Sequence, residues 1–283
     1  MINGALFKAE FKRSWVVVLI FSILAIGLAA FGLLTHWFYD QNDSNGFTTG
    51  TFVFLKVIIF HFGMPLLYTI YGFVIISSTL LKDIDKGYLA SWLTTPLSRY
   101  KIFFTKIFVF LLGFVIISAC LVISQMIFYG INTYDFSKGV GRLLLSDLAL
   151  IVFGFFWLGI MWIIAASLPN NWSVWTVLIG LTLWFIVAYI LGQGETLFGE
   201  GKLGKTLSYF RYFTILSLQK DSLSFVSEWV NGGDDGMWIS MWRIVIPPIK
   251  AMDYAWQLPL MFVVGSACWS GSLLVLRNRS FNI

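Results

Sequence analysis

Residues Gly199 to Thr206, Gly-Glu-Gly-Lys-Leu-Gly-Lys-Thr, fit the pattern G-x-x-x-x-G-K-[ST]. In a working site that loop cradles the phosphates of a nucleotide in its backbone N–H groups. The chemistry needs a buried strand before the loop and a helix after it, inside an alternating β-α domain. Here a long apolar run precedes the motif, no alternating β-α pattern surrounds it, and no hydrophobic strand ends in an aspartate for Mg²⁺. A chance match is expected. Other reactive side chains are sparse. His36 and His61 are the only histidines, and H-E-x-x-H and G-x-S-x-G are absent. Cys120 and Cys268 each lie in the middle of an apolar run, where small buried hydrophobes are expected rather than a disulfide or metal ligands. Lys56 and Asp147 are expected near helix ends, reaching for the interface, which leaves Gln125 as the main strongly polar side chain deep in a span. A secondary transporter or proton pump would carry ionisable groups at mid-membrane, so this pattern argues against one.

The elements that must position these residues are set by composition. The 283 residues are 58% hydrophobic and 12% charged, with mean hydropathy +0.83. An average soluble chain has roughly 45–50% and 25%. So few charges cannot cover a water-soluble globule of this size. The 28 Phe and 13 Trp fit lipid contact and the headgroup belt. A net charge of +5 without a dense basic stripe reads as a topology signal, with no nucleic-acid partner.

A membrane helix needs about 20 mostly apolar residues. Six segments qualify: Trp15–Phe38, Phe52–Leu81, Ile102–Gly130, Leu143–Leu168, Trp172–Leu191 and Ala255–Leu276. The first follows Lys8, Lys12 and Arg13 as a signal peptide would. Its apolar run is too long and lacks a cleavage site, so it reads as a retained helix. The expected fold is an all-α integral membrane protein, one transmembrane domain over residues 1–283. Small-residue pairs at Ala25/Ala29 and Ala267/Gly271 permit close helix packing but identify no function.

Lys and Arg near the helix ends set the expected orientation. Lys8, Lys12 and Arg13 put the N-terminus in the cytoplasm. The loop carrying Asp40 and Asp43 is outside. The loop with Lys82, Lys86, Arg99 and Lys101 is inside, and Arg277 and Arg279 return to the cytoplasm. Lys138 and Arg142, in a loop this scheme places outside, run against it. The segment from about 192 to 254 is then external, with aromatics at Tyr209, Phe210, Tyr212, Phe213, Trp229, Trp238 and Trp242. Short amphipathic helices are expected there, broken at Gly232-Gly233 and Pro247-Pro248.

One stretch stands out, Leu80 to Lys106. Residues 83 to 94 can form an amphipathic cytoplasmic helix with Ile84, Tyr88 and Trp92 at spacing four on one face. Pro96 stops it, Ser98 can cap the next helix, and Arg99, Lys101 and Lys106 mark that helix's inner end. On pattern alone this is either an interfacial loop without a partner or a ledge through which a soluble partner pushes on two spans.

The stretch resembles the signature region of ABC-2-type transporter permeases, the six-span membrane subunits of ATP-driven exporters. In that family an acidic residue is followed four positions later by Gly, then by a short apolar helix, P-x-x-R and a basic residue in the next span. Asp83 and Gly87 match the first pair, Leu89 and Leu93 the apolar positions, Pro96 and Arg99 the P-x-x-R, and Lys106 the basic residue. Leu207 to Thr214 is similar to the family's outer segment before the last span, and Leu276 to Phe281 to its basic C-terminal end. Asp83 and Tyr88 stand where Glu and Thr are more usual.

The resemblance implies a permease subunit that forms the pathway for export and is not itself an enzyme. A second permease subunit would complete a homo- or heterodimer. Each would dock a cytoplasmic ABC ATPase through the coupling helix, with Tyr88 and Trp92 as packing knobs and Asp83, Asp85 and Lys86 as polar contacts. Gly87, Pro96 and Arg99 complete the coupling motif. No cofactor is expected in this chain, since ATP and Mg²⁺ belong to the ATPase. The expected setting is a bacterial cell membrane, with lipid around the spans and both termini cytoplasmic. The cargo classes implied are an amphipathic or antimicrobial peptide, a lipid or a hydrophobic drug. Competing readings are a secondary transporter or channel, and a membrane immunity or regulatory protein that transports nothing.

Overall fold

A computed structural model describes residues 4–40, 62–85, 98–132, 136–168, 170–192, 201–218, 226–230, 241–245 and 251–278. In a bilayer every backbone polar group must be satisfied within the protein, so long apolar runs become helices. Six such helices appear among the described residues: α1 (Gly4–Asp40), α2 (Met64–Ile76), α4 (Arg99–Asn132), α5 (Phe136–Ser167), α6 (Asn171–Gly192) and α8 (Ala251–Asn278). Each is long and apolar enough to cross a membrane, α2 together with a wider π-helical turn at Ser77–Leu81. The turn runs on into the short α3 (Lys82–Asp85). The chain is a multi-pass membrane protein.

Four helices outrun the expected spans at both ends. Hydropathy marks the part immersed in lipid, whereas the backbone ladder continues until its last bond. Helix α5 outruns its span at its start only, beginning at Phe136, seven residues before the expected edge at Leu143. At the start of α4 the Ser98 carbonyl accepts the Lys101 N–H at 2.9 Å, which puts the helix start where the capping residue was expected. Of the second expected span, residues 52–61 lie outside the described residues.

Aromatic side chains build the centre. Phe110 of α4 stacks on Tyr71 of α2 at 5.2 Å and meets Trp162 of α5 at 5.1 Å and Trp269 of α8 at 5.6 Å. Helices α5 and α8 approach closely at two glycines. A Cβ on Gly159 would stand 3.2 Å from the Gly265 carbonyl oxygen, and one on Gly265 would stand 3.1 Å from the Phe156 Cα. Of the small pairs in the sequence, Ala25 and Ala29 are buried, while Ala267 is exposed. Outward faces carry apolar residues such as Ile20, Ile23 and Leu24 on α1 and Leu183, Trp184 and Val187 on α6. A bilayer leaves such a surface uncharged.

After α6 come α7 (Lys202–Ser208) and two 3₁₀ turns, Tyr209–Phe213 and Ile215–Leu218. Thr214 pins this segment to α6 by donating its hydroxyl to the Phe185 carbonyl at 2.9 Å. Beyond it two short described stretches are extended where helices were expected. Strands β1 (Val226–Val230) and β2 (Met241–Val245) pair antiparallel, with Trp229 opposite Trp242 and Glu228 opposite Arg243. Valine, isoleucine and tryptophan suit a strand better than a helix. The expected breaks at Gly232-Gly233 and Pro247-Pro248 lie outside the described residues.

Candidate functional site

Glu10 and Arg13 lie three residues apart on α1 and so share one face. Two other elements meet that face. Asp83 arrives on α3 directly after the π turn, and Lys106 stands two turns into α4. Lys106 is 1% exposed and its Nζ donates to three acceptors. These are Glu10 Oε1 at 2.7 Å, the Thr79 carbonyl at 2.8 Å, and Asp83 Oδ2. An ammonium group has three N–H donors, so the set is complete. Asp83, 2% exposed, turns its other oxygen to Arg13 Nη1 at 2.8 Å, and the arginine itself is 32% exposed.

The π turn contributes directly. In it Lys82 N–H bonds back to the Ser77 carbonyl, five residues earlier. Such wide turns loosen carbonyls from the α-ladder, and the Thr79 carbonyl here serves Lys106. Two carboxylates and two cations make the cluster neutral, as a buried charge group must be to persist. Among the described residues, one oxygen, Glu10 Oε2, is buried with no hydrogen-bond partner.

The cluster fastens α1, the end of the second span and the start of the third at one end of the bundle. Of the described residues on either side of 86–97, Asp85 ends the element that carries Asp83, and Ser98 precedes the one that carries Lys106. Of the expected coupling residues, Asp83 and Arg99 are described, and Arg99 is exposed. Asp83 faces inward, into the cluster. Asp85 ends α3, and nothing further is described of its side chain. Lys86, Gly87, Tyr88, Trp92 and Pro96, and with them most of the expected helix at 83–94, lie outside the described residues.

Sequence reasoning passed over Glu10, and took Arg13 only as a topology signal. The available clue was one acid among basic residues, placed to share a helix face with Arg13. Asp147 also departs from expectation. It does not reach for an interface: it is 2% exposed inside the bundle and faces Gln125 of α4, which is 0% exposed. The error follows from starting the fourth span at Leu143, whereas α5 starts at Phe136 and carries Asp147 about three turns into the bundle.

At the phosphate-loop pattern, Gly201 precedes the seven-residue α7, whose Lys202, Lys205 and Thr206 are exposed. The Thr206 hydroxyl bonds the Lys202 carbonyl at 2.9 Å. Cys120 and Cys268 are free. A cavity of about 100 Å³ lies among α2, α5, α6 and the second 3₁₀ turn, with Leu66, Thr69, Trp157, Phe185 and Leu216 in its wall.

No family model matches the chain, and no curated protein or solved structure matches it.

Proposed function

We propose that this chain is the permease subunit of an ATP-driven exporter of the ABC-2 type. It forms the membrane pathway with a second permease subunit and is driven by separate cytoplasmic ATPase subunits, which hold the ATP and Mg²⁺. Both termini and the 83–94 segment face the cytoplasm of a bacterial cell. The observation that carries the reading is Asp83, the first residue of the coupling segment, bonded at once to α4 through Lys106 and to α1 through Arg13. A push on the segment then bears on three spans together, which is what energy supplied from outside the bilayer requires. Asp83 acts as a positioning residue at the root of the ledge, and Tyr88 and Trp92 make its outer contact.

Only a partner that binds two arrangements with different affinity can drive a change between them. A packed ion cluster offers a discrete element of that kind, because its bonds are either made or broken. The cavity near Thr69 is too small for a peptide, so cargo passes by another conformation or between subunits.

The test replaces Tyr88 and Trp92 with Asp. ATPase subunits should no longer co-purify, while the protein still inserts in the membrane. Undiminished co-purification removes the coupling role. A second reading, a cation-coupled secondary transporter, is favoured by the buried Asp147–Gln125 pair. Proteoliposomes holding this chain alone decide between them: uptake driven by an ion gradient supports the second, and a requirement for ATPase and ATP the first. Absence of transport under both conditions points to an immunity or regulatory protein.

A further inference from the structure

Asp147 and Gln125 face each other across α5 and α4, about two to three turns in from the junction of those helices. With its nitrogen toward the carboxylate, the Gln125 amide donates to Asp147 Oδ1 at 2.8 Å and Oδ2 at 3.0 Å. Among the described residues Asp147 makes no ion pair. The titratable group facing it among the described residues is Tyr68 of α2, whose hydroxyl shares a hydrogen bond with Ser118 of α4 at 2.8 Å. On α5 itself Arg142 stands more than one turn earlier. Helix α6 contains no charged residue, and α8 carries Asp253 and Arg277 only near its ends. The charged residues of α2 and its continuation, Lys82, Asp83 and Asp85, lie at the far end of the bundle with Lys106.

A lone carboxylate in such surroundings is expensive and in membrane proteins marks a site that handles charge. We infer that Asp147 and Gln125 form an intramembrane proton-binding site. The glutamine suits both states of its partner. Facing a carboxylate, the amide nitrogen donates a hydrogen bond. Facing a carboxylic acid, the amide turns half a revolution about its last torsion, and Oε1 accepts the acid's O–H. The separations of 2.8 and 3.0 Å serve either arrangement. In uptake a hydronium ion gives its proton to an Asp147 oxygen, one O–H bond forms and water is left behind. Release is the reverse, and no electron changes hands. The bound proton cancels the charge buried between α4 and α5, so it acts as a ligand for the packing of these helices.

This inference does not rest on the permease reading, and its test needs no ATPase. Infrared difference spectra of the full chain in liposomes, recorded against pH, report protonated carboxyl groups directly. Lowering the pH should raise a carboxylic-acid C=O band that Asp147→Asn lacks. Gln125→Leu keeps the carboxyl but removes its acceptor, so the band should move to higher frequency. Spectra identical for wild type and Asp147→Asn at every pH overturn the proposal. So does a band that sodium in place of choline abolishes at fixed pH, which would make this a metal-cation site. Should Asp147→Asn fail to fold, the Gln125→Leu shift decides alone, and an unmoved band rejects the pairing.

Discussion

Lys106 Nζ lies 2.7 Å from Glu10 Oε1, a bond across 96 residues of sequence that joins the first span to the third. With Asp83 on its other side, Lys106 is the hub of the buried cluster. Replacing it with Met leaves Glu10 and Asp83 buried against a single remaining cation. The expected loss is about 3–5 kcal/mol, read as a lowered unfolding midpoint in detergent. Adding Glu10→Leu removes the surplus charge and should restore most of the loss. A double variant as unstable as Lys106→Met alone would show that charge balance is not what holds the cluster.

Arg13 ranks below Lys106 in the same cluster. It is partly exposed, and Asp83 keeps its bond to Lys106 when the arginine is gone. Solvent screening reduces such a pair, so Arg13→Gln should cost about 1 kcal/mol. The same melting measurement checks the order, and a larger loss than for Lys106→Met contradicts the hub assignment.

The seam between α5 and α8 depends on Gly265. A Cβ there would lie 3.0 Å from the Phe155 ring and 3.1 Å from the Phe156 Cα, and backbone cannot retreat without parting the helices. Gly265→Val should cost about 1–3 kcal/mol. Gly180→Ala is the contrast, because nothing lies within 4 Å of a Cβ there. Its midpoint should stay level or rise.

Trp157 of α5 donates its indole N–H to the Thr69 hydroxyl at 2.8 Å. Thr69→Val keeps the shape and removes the acceptor, at about 0.6–1.7 kcal/mol for a bond between membrane helices. Thr182 lines the same cavity but bonds its own helix at the Leu178 carbonyl. Thr182→Val should therefore cost less, and equal midpoints for the two variants would remove the interhelical bond from the account.

The number of spans and the class of fold were legible in the sequence, because a bilayer admits only segments that satisfy their own backbone and present apolar side chains. Runs such as Trp15 to Phe38 and Trp172 to Leu191 announce this residue by residue. The same property says less about the segment after the fifth span. Val226–Val230 and Met241–Val245 are short, aromatic and β-branched, and their pairing as strands depends on a partner across ten intervening residues.

Tertiary structure alone decided which polar residues meet. Glu10, Asp83 and Lys106 are scattered across the first 106 residues, and no local spacing joins them. Their convergence reflects the angle and depth at which α1, the π turn and α4 pack. Asp147 makes the same point from the other end of the bundle: hydropathy placed it near an interface, and the extra turns of α5 carried it inside against Gln125. Hydrophobicity is a sum over neighbours in sequence, whereas the pairing of buried charges is fixed by neighbours in space.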